Sequence, residues 1–418
     1  MVVFVETIEE VQKIVEYANL HKIPIISRGA GSNMVGACVC TTGGIVLNFS
    51  KMNKIIDINK SNMTITVQPG VVLSDLKTAV EQIGLFYPPD PSSYQVATIG
   101  GSIAQSSGGA LSFKYGTTKD YVLSLKVVTA DGSLIQVGSD TSKNSSGYHL
   151  AQLMVGSEGT LGIIVEATLK LIPKPENNTL IIAHFADFET AVKAVDKIIE
   201  NQIYPSAIDF MDKNSIRTIE DFLPTGLNTD SECLLIVQID GDKESIKYQT
   251  YKLEQIFKDL KSVDIKIPQT TQEIELIWRA RRSSYSACTR LAPDVISEDI
   301  IVPRDRLLEI ILKCNEIKQK YGLNICLIGH IGDGNLHPQF VLDLDDEDQY
   351  RAYTKAKSDL YSSVIKLGGS ISAEHGIGIA KLPYLKDAID IKTLEYMKLI
   401  KKAFDPNNIL NPEKIFNL

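Results

Sequence analysis

The sequence predicts an α+β protein built from more than one domain. Its 418 residues exceed the usual length of a single domain, so two or three domains are expected. Hydrophobic residues make up 44% of the chain and charged residues 22%, which is typical of a folded globular protein. Pro173 and Pro175 interrupt helix and sheet alike, and the order of predicted strands and helices changes after them. These prolines therefore mark the main domain boundary.

Charge and hydropathy exclude several classes of partner. The formal net charge of −8 disfavours nucleic acid and anionic membranes, because both attract basic surfaces. No apolar run reaches the roughly 18 residues that span a bilayer, and Glu6, Glu9 and Glu10 stand where a secretory leader would be apolar. We therefore expect a cytoplasmic protein with no transmembrane segment and no nucleic-acid partner.

The first 50 residues have a βαβ pattern. Strands are predicted at residues 2–5, 23–26 and 45–47, and Thr7 with Glu10 forms a capping box for a helix after the first strand. Because the chain opens directly on a strand, the question arises whether N-terminal residues are missing.

Residues 51–175 alternate between hairpins and glycine-rich segments. Hairpins are predicted at residues 55–67 and 124–137, with a helix at 74–83 and a closing strand at 163–171. The glycine and serine residues between 98 and 109 are expected to form an open loop in which backbone approaches a ligand closely.

The pattern after residue 175 predicts a separate α+β domain. A strand is followed by a helix at residues 189–200, two more strands and a helix at 243–260. The acidic run at residues 343–348 lacks the central glycine of a calcium loop and is expected to be a solvated turn.

The cysteines do not predict disulfides. Six cysteines are scattered along the chain without a CxxC pair, so we expect free thiols, mostly buried. Cys38 and Cys40 form a CxC sequence beside a glycine-rich loop, which is interpreted either as a redox-active pair or as small buried thiols.

Three histidines predict a metal site. His330 and His337 flank a glycine turn in GHIGDGNLH, and Glu374 with His375 follows in SAEHG. Any one of these histidines alone would be interpreted as a solvated or hydrogen-bonded side chain. Two imidazoles and the Glu374 carboxylate would instead bind zinc, iron or manganese and leave positions open for a substrate. His375 cannot easily bind the same ion as its neighbour Glu374, so it is better placed to accept a proton.

Three segments, here called the glycine segments, predict a long ligand. They are residues 28–33, 100–109 and 156–162. None matches the Rossmann or P-loop spacing, and each alone would be interpreted as a tight turn. Together they favour a pyrophosphate held by backbone N–H groups.

The ordered motifs resemble one family. They are SRGAGSN, PPDP, ATIGGSIAQSSGG, KYGTT, GSEGTLGII, GHIGDGNLH, SAEHGIG and ILNPEKIF, and they span nearly the whole chain. The set resembles the FAD-linked oxidases with a vanillyl-alcohol oxidase or PCMH-type flavin domain. Within that family it is similar to the branch of the glycolate oxidase large subunit, D-lactate dehydrogenase and D-2-hydroxyglutarate dehydrogenase.

The resemblance implies a domain plan and a set of FAD-binding residues. It implies a PCMH-type FAD-binding domain at residues 1–175 with subdomains 1–50 and 51–175, an α+β cap domain with an antiparallel sheet at 176–370, and a C-terminal segment at 371–418 that returns to the flavin. The implied FAD-binding residues are Arg28, Gly29, Ala30, Gly31, Ser32, Asn33, Pro88, Asp90, Ser92, Gly100, Gly101, Ser102, Ala104, Ser107, Gly108, Gly156, Glu158, Gly159, Ile164 and Asn411.

The resemblance also implies the chemistry. His330, His337 and Glu374 match the family's metal ligands, His375 matches its base, and Arg281 matches the arginine that holds the substrate carboxylate, with Arg282 as the neighbouring alternative. The divalent metal would activate the hydroxyl of a D-2-hydroxy acid while the hydride passes to flavin N5.

Two departures from the family refine these expectations. Ser297 stands where the hydroxyglutarate enzymes carry a substrate-binding lysine, which favours a monocarboxylate such as D-lactate or glycolate. The first glycine segment has no histidine, so the FAD is expected to be non-covalent.

Partners and alternative functions complete the expectations. Nothing resembles a nicotinamide or iron–sulfur site, so an electron-transfer flavoprotein or another protein or quinone acceptor is expected, in a homo- or hetero-oligomer. Two other functions stay open, a non-redox metal-dependent hydrolase and a non-catalytic flavin-carrying subunit of a larger complex. The glycine segments disfavour the hydrolase, and the intact histidine and glutamate set disfavours the non-catalytic subunit.

Overall fold

The computed structural model describes residues 1–417 and divides them into two compact units. Unit 1 comprises Met1–Gly109, Gly116–Lys174 and the described residues from Glu374 onward, and unit 2 comprises Ala110–Tyr115 and Pro175–Ala373. The main division thus falls between Pro173 and Pro175. The sequence did not indicate that residues 110–115 join the second unit.

The strands of the described chain are short in unit 1 and longer in unit 2. They are β1 (Val2–Phe4), β2 (Ile25–Arg28), β3 (Ile45–Asn48), β4 (Ile55–Asn59), β5 (Thr64–Val67), β6 (Leu85–Phe86), β7 (Val122–Val128), β8 (Leu134–Gly138), β9 (Ile163–Lys170) and β10 (Ile172–Pro173). They continue with β11 (Asn177–Phe185), β12 (Ala207–Asp212), β13 (Cys233–Gly241), β14 (Asp264–Lys266), β15 (Asp294–Ser297), β16 (Ile300–Ile301), β17 (Asn324–His330) and β18 (Asn335–Leu342).

The helices connect and cover these strands. They are α1 (Ile8–His21), α2 (Leu73–Glu81), α3 (Ile99–Gln105), α4 (Ser112–Tyr115), α5 (Leu150–Met154), α6 (Phe188–Glu200), α7 (Lys213–Phe222), α8 (Lys243–Asp259), α9 (Thr271–Arg282), α10 (Ser284–Cys288), α11 (Leu307–Tyr321), α12 (Glu347–Lys366), α13 (Leu385–Ala388) and α14 (Ile391–Phe404). Among residues 1–417, none of these helices combines the length and the apolar character needed to cross a membrane.

The first sheet of unit 1 has three parallel strands in the order β1-β3-β2. Helix α1 begins with the predicted capping box. The Thr7 side chain accepts the N–H of Glu10, and the Glu10 side chain accepts the N–H of Thr7. Val11, Val15 and Ala18 are fully buried at helical spacing. The predicted βαβ start is therefore confirmed.

The second sheet of unit 1 has five antiparallel strands in the order β4-β5-β9-β7-β8. The hairpins β4–β5 and β7–β8 confirm the predicted turns. Leu76, Ile99, Leu125 and Leu169 belong to the core between this sheet and the helices α2 and α3. Burial of these side chains favours folding by roughly 2 kcal/mol each.

One expectation for this unit is wrong. The residues Gly100 to Gln105 form helix α3 and not an open loop. The Thr98 side chain caps the helix by accepting the N–H of Gly101, and the helix ends at Ser106 in the left-handed conformation. The cap and the buried side chains Ile99 and Ile103 outweigh the low helix propensity of the two glycines.

Unit 2 contains an eight-stranded antiparallel sheet. Seven strands follow the order β14-β11-β13-β12-β17-β18-β15, and β16 pairs with β18. One face is covered by α7, α9 and α10, whose side chains Ile216, Ile277 and Ala287 join Leu234 and Ile328 of the sheet in one core. Side chains alternate between the two faces of a strand, so this face also carries Asp209, which lies two residues from both Ala207 and Met211 on β12.

The acidic run at residues 343–348 is only partly the solvated turn that we expected. Residues 343–346 form a turn, but the Asp346 side chain accepts the N–H groups of Asp348 and Gln349 and begins helix α12 at Glu347. Acidic residues in the first turn of a helix interact favourably with its dipole. The run is a helix N-terminus.

A buried histidine in unit 2 predicts a loss of stability in acid. Burial lowers the pKa of His184 on β11 to about 4, from an ordinary value of 6.5. Its Nδ1 contacts Oγ of Ser231 at 2.9 Å, and the side chain is inaccessible to solvent. The unfolded chain protonates His184 at a higher pH than the folded chain does. The contribution of neutral His184 to the free energy of unfolding is therefore complete above pH 6.5 and is lost as the pH falls towards 4.

We expect His184 to lower the free energy of unfolding by about 3 kcal/mol between pH 7 and pH 4, at about 1.4 kcal/mol per pKa unit. Urea unfolding of the wild type and of His184→Gln at several pH values measures this difference, and the variant should have a shallower pH dependence. The exposed His149, changed in the same way, serves as control. Equal slopes for the wild type and His184→Gln would contradict the expectation.

Candidate functional site

The three glycine segments come together within unit 1. A Cβ atom at Gly29 would lie 2.0 Å from Oγ1 of Thr98, the residue that caps helix α3, so only glycine permits this close approach of the first segment to the start of the helix. The third segment is joined to helix α3 by two backbone hydrogen bonds. The N–H groups of Gly156 and Glu158 donate to the carbonyls of Ile103 and Ala104 at 2.9 and 2.8 Å. The three glycine segments are far apart in the sequence, and the fold brings them together.

Several buried polar atoms of unit 1 need a partner from outside the chain. Ser27 Oγ, Ser102 Oγ, Gln105 Oε1 and Asn411 Oδ1 have no hydrogen-bond partner among residues 1–417. Such atoms cost about 1–3 kcal/mol each when they stay unsatisfied, and native proteins rarely leave several in one region. Ser102 lies in the second glycine segment, Ser27 directly precedes the first, and Asn411 is in the C-terminal segment. A polar, hydrogen-bonding ligand such as FAD fits this distribution.

Two predicted FAD-binding residues use their side chains on the protein itself. Asn33 Oδ1 accepts the N–H groups of Val35 and Ala37, and Asn33 Nδ2 donates to the carbonyl of His375 at 3.1 Å. Glu158 Oε1 and Oε2 accept the N–H groups of Ile377 and Gly378 at 2.6 and 2.8 Å. These hydrogen bonds hold the turn at residues 375–378, so both residues organise the backbone that carries His375.

Burial dominates the ionisation of Glu158. It raises the pKa of this carboxyl to about 7, against the opposing effects of the N–H groups of Ile377 and Gly378 and the positive charges of Lys381 and Lys414. Asn411 shares the same region, because its Nδ2 donates to the carbonyls of Glu158 and Ala37 at 2.6 and 2.9 Å. The C-terminal segment therefore helps to fix the third glycine segment.

Other predicted FAD-binding residues have structural contacts. The hydroxyl of Ser107 lies 3.2 Å from that of Thr118. Ile164 on β9 is 9% exposed and belongs to the core of the second sheet. A Cβ atom at Gly109 would lie 2.4 Å from the carbonyl oxygen of Asp90, so the segment at residues 88–92 packs directly against the end of the second glycine segment.

The predicted metal ligands of unit 2 lie on one hairpin. His330 pairs with Asn335 and Ile328 pairs with His337 across the antiparallel strands β17 and β18. Opposite residues share a face, so the two histidines are diagonal neighbours on the same face. Their ring centroids are 5.3 Å apart at an interplanar angle of 80°, and both residues are buried. Imidazoles in this arrangement can converge on one ion.

A glycine makes this hairpin possible. The turn from Ile331 to Asp333 ends at Gly334, whose φ is +84°. A Cβ atom there would lie 2.2 Å from the carbonyl oxygen of Val302. Any other residue at position 334 would therefore displace the turn that sets the register of the two histidines.

Asp209 joins His330 to Arg281. Its Oδ1 lies 2.7 Å from Nδ1 of His330, and its Oδ2 lies 2.8 Å from Nε of Arg281. All three residues are buried. Burial alone would raise the pKa of Asp209, but the charge of Arg281 and the contact with His330 hold the pKa below its usual value.

The two candidate arginines have different environments. Arg281 is 3% exposed, and among the described residues neither its Nη2 nor its Nε has a partner with hydrogen-bond geometry, although Nε forms the ion pair with Asp209. Arg282 instead lies over the ring of Trp278, 5.9 Å from its centroid. A buried guanidinium with an unsatisfied N–H is suited to a carboxylate, which supports Arg281 in that role.

A second buried aspartate, Asp299, leads to the last predicted ligand. Its Oδ1 accepts a hydrogen bond from Asn335 Nδ2 at 2.8 Å and lies 3.7 Å from Nδ1 of His337. Its Oδ2 accepts the N–H of Ala373 at 2.8 Å, and Ala373 directly precedes Glu374 in the chain. Within unit 1, Glu374 Oε1 lies 3.9 Å from Nε2 of His375.

Sequence reasoning missed Asp209 and Asp299. Asp209 lies inside the apolar strand β12 and Asp299 directly precedes the apolar strand β16, and both are almost inaccessible to solvent. An acidic side chain is rarely buried unless it is paired, so a single Asp in such a run is a usable signal. Glu298, next to Asp299, instead contacts Lys357 at 3.0 Å and the hydroxyls of Tyr353 and Tyr361.

The comparisons with known proteins identify the class. The family model described as FAD binding domain matches residues 1–138, and the model described as FAD linked oxidases, C-terminal domain matches residues 174–415. The chain therefore belongs to the FAD-linked oxidase family. This membership confirms the predicted family and the requirement for FAD, and it favours an oxidoreductase over a hydrolase.

Similar proteins narrow the class further. The chain is 42% identical to the glycolate oxidase subunit GlcD of Bacillus subtilis over 98% of this chain and 87% of that protein. It is 34% identical to a D-lactate dehydrogenase of Anaerostipes hadrus over 97% of this chain and 87% of that protein. It is 32% identical to a D-2-hydroxyglutarate dehydrogenase of Stutzerimonas stutzeri over 99% of this chain and 90% of that protein.

Solved structures confirm the fold class. The structure of p-cresol methylhydroxylase has a TM-score of 0.81 to this chain at 17% identity. The match covers 100% of this chain and 88% of that one. Alkyldihydroxyacetonephosphate synthase has a TM-score of 0.74 at 22% identity, covering 99% of this chain and 76% of that one. The predicted α+β fold with a PCMH-type FAD-binding domain and a cap domain is therefore correct.

Proposed function

We propose that this chain is an FAD-dependent dehydrogenase that oxidises a small D-2-hydroxy acid to the 2-oxo acid, with D-lactate preferred and glycolate next. The observation that carries this proposal is in unit 2, where the buried Asp209 carboxylate contacts both Arg281 and His330, and His337 lies beside His330. The relatives named for glycolate, D-lactate and D-2-hydroxyglutarate support the substrate class.

The proposed metal ligands are His330, His337 and Glu374. Two imidazole nitrogens and one carboxylate form a donor set that suits iron, zinc or manganese. The chain's geometry fits such an ion, because Asp209 engages Nδ1 of His330 and leaves Nε2 as the ligand atom. In unit 2 Asp299 fixes Ala373, the residue before Glu374.

The chain's own residues bind the substrate and move one proton. When bound, FAD supplies a two-electron acceptor and the divalent ion supplies a Lewis acid for the substrate hydroxyl. Arg281 binds the substrate carboxylate through the N–H groups that Asp209 leaves available. His375 accepts the hydroxyl proton, and Asn33 and Glu158 hold the backbone around it. The FAD is non-covalent, since the first glycine segment offers no histidine.

The proposed preference for a monocarboxylate rests on Ser297. This residue pairs with Gln339 across β15 and β18 and offers a hydroxyl where a second substrate carboxylate would need a cation. Lys357 is not a substitute, because its ammonium group contacts the buried Glu298 at 3.0 Å. A dicarboxylate would therefore lose a charge-assisted hydrogen bond.

Visible absorbance of the purified protein tests the proposal. The oxidised protein should be yellow, and anaerobic D-lactate should bleach it, with glycolate slower and D-2-hydroxyglutarate much slower. Removal of the ion by a chelator should abolish bleaching without releasing FAD, and Mn²⁺ or Zn²⁺ should restore it. A colourless protein, or a yellow protein that no 2-hydroxy acid bleaches, would overturn the proposal.

The acceptor is proposed to be an electron-transfer flavoprotein, with a quinone as the alternative. The bleached sample from the same experiment is mixed anaerobically with each acceptor, and return of the yellow colour identifies it. If neither acceptor restores the absorbance, this part of the proposal is wrong. We also propose an oligomer, either of this chain or with a partner subunit.

A further inference from the structure

We propose that Asp209 is a positioning residue that sets both the metal-facing nitrogen of His330 and the orientation of Arg281. The inference rests on the proposed function and deepens it, because it assigns one buried carboxylate to two parts of the reaction. Asp209 touches neither substrate nor ion in this assignment. It acts through two other side chains.

The sheet register places Asp209 beside His330. Phe210 pairs with Gly329 between the antiparallel strands β12 and β17. One residue further along each strand, Asp209 and His330 stand opposite each other on the same face. Arg281 reaches this face from helix α9, whose residues Ile277, Trp278 and Arg281 are buried at helical spacing. Three elements that are far apart in the chain thus meet at one carboxylate.

The contact with His330 fixes its tautomer. Oδ1 of Asp209 lies 2.7 Å from Nδ1 of His330, and a carboxylate oxygen at this distance favours the tautomer with the proton on Nδ1. In that tautomer Nε2 is the unprotonated nitrogen, which is the form that a metal requires. Without the carboxylate, either ring nitrogen could carry the proton and the ring could rotate. Metal affinity should fall for that reason.

The contact with Arg281 fixes its planar group. Oδ2 lies 2.8 Å from Nε of Arg281, so the ion pair engages one edge of the guanidinium and not its terminal Nη2. Nη2 is buried and has no hydrogen-bond partner within residues 1–417. The guanidinium is therefore anchored at one edge and open at the other. Each oxygen of Asp209 serves a different partner, so a single substitution should impair both metal binding and substrate-carboxylate binding.

Asp209→Asn tests this assignment, with Asp212→Asn as the matched control. Asp212 is also a buried aspartate on β12, but it lies three residues away, at the last position of the strand. There it caps helix α7 by accepting the N–H and hydroxyl of Ser215, and it also accepts the N–H of Leu327. The control therefore removes a buried carboxylate of equal size that contacts none of the predicted functional side chains.

Two quantities are measured on the FAD-loaded protein. The first is the Kd for Mn²⁺ by calorimetric titration of the chelator-treated sample, which does not depend on turnover. The second is the KM for D-lactate at saturating Mn²⁺. We expect Asp209→Asn to weaken Mn²⁺ binding by about 10- to 100-fold and to raise the KM by about as much. Asp209→Glu, which keeps the carboxylate, should recover part of both. Asp212→Asn should leave both near wild-type values.

The outcomes separate this inference from the proposed function. If wild-type protein binds no Mn²⁺ and oxidises no 2-hydroxy acid, the proposed function fails. If the wild type does both and Asp209→Asn does so equally well, only the inference about Asp209 is overturned. An equal loss in Asp209→Asn and Asp212→Asn also overturns it, because the effect would then be general destabilisation.

A second variant covers the case in which Asp209→Asn does not fold. In that variant the buried guanidinium of Arg281 would have no counter-ion, which is a common cause of unfolding. The double variant Asp209→Asn/Arg281→Gln removes that charge and allows the two amides to hydrogen-bond. Weakened Mn²⁺ binding in the double variant supports the role of Asp209 at His330. Mn²⁺ affinity equal to that of Arg281→Gln alone contradicts it.

Discussion

Replacing His375 with alanine is expected to lower kcat for D-lactate by about 10²- to 10⁴-fold, because the substrate hydroxyl loses its proton acceptor. The protein should stay yellow. The substitution removes only the imidazole, whereas the backbone of this turn is held by Asn33 at the carbonyl of residue 375 and by Glu158 at the N–H groups of residues 377 and 378. The FAD-binding segments should therefore keep their arrangement.

Stopped-flow bleaching and the FAD content of the purified variant measure this expectation. His21, an exposed histidine at the end of α1, changed to alanine serves as the control and should bleach at the wild-type rate. Near-normal bleaching by His375→Ala would show that another group accepts the proton.

Replacing Arg281 with lysine is expected to lower kcat/KM for D-lactate by about 100-fold, or about 3 kcal/mol, which is typical for the loss of a charge-assisted hydrogen-bonded pair. A lysine keeps the positive charge but has a single nitrogen. It can pair with Asp209 or with the substrate carboxylate, whereas the guanidinium contacts Asp209 through Nε and still has the unpartnered Nη2 for another anion.

The neighbouring Arg282 provides the control for this experiment. Arg282→Lys keeps a cation over the ring of Trp278 and should change kcat/KM by less than about threefold. Steady-state rates with D-lactate, together with the affinity for pyruvate as a non-reacting carboxylate, separate binding from turnover. If Arg282→Lys gave the large loss and Arg281→Lys did not, the two assignments would have to be exchanged.

Local signals explain what the sequence predicted well. The capping box of Thr7 and Glu10 and the turns of the hairpins β4–β5 and β7–β8 depend on residues close together in the chain, and the structure contains all of them. Helix α3 was missed because Gly100 and Gly101 favour a loop, whereas Thr98 and the buried Ile99 decide for a helix. Packing overrode propensity there.

The candidate site also contains some residues that the sequence grouped correctly and some contacts that it could not predict. His330 and His337 are seven residues apart on one hairpin, so a motif was enough to group them. The contact between Asp209 and His330 spans 121 residues, and no spacing rule connects them. Asn33 and Glu158 were assigned to FAD from their motifs, but their side chains are used on the turn that follows His375. A motif locates a segment of the chain, whereas the structure shows which side-chain atoms already form hydrogen bonds within the protein.

The order of synthesis affects the folding of unit 1, because residues near position 410 contact its first sheet and the loop that follows β2. Ile25 on β2 pairs with Leu410, and Asn411 donates to the carbonyl of Ala37, 374 residues earlier in the chain. Contacts between such distant residues form slowly, since a long loop must first close. All of unit 2 precedes these two residues in the chain and is synthesised before them. The first sheet of unit 1 therefore cannot complete these contacts until Leu410 and Asn411 have been added.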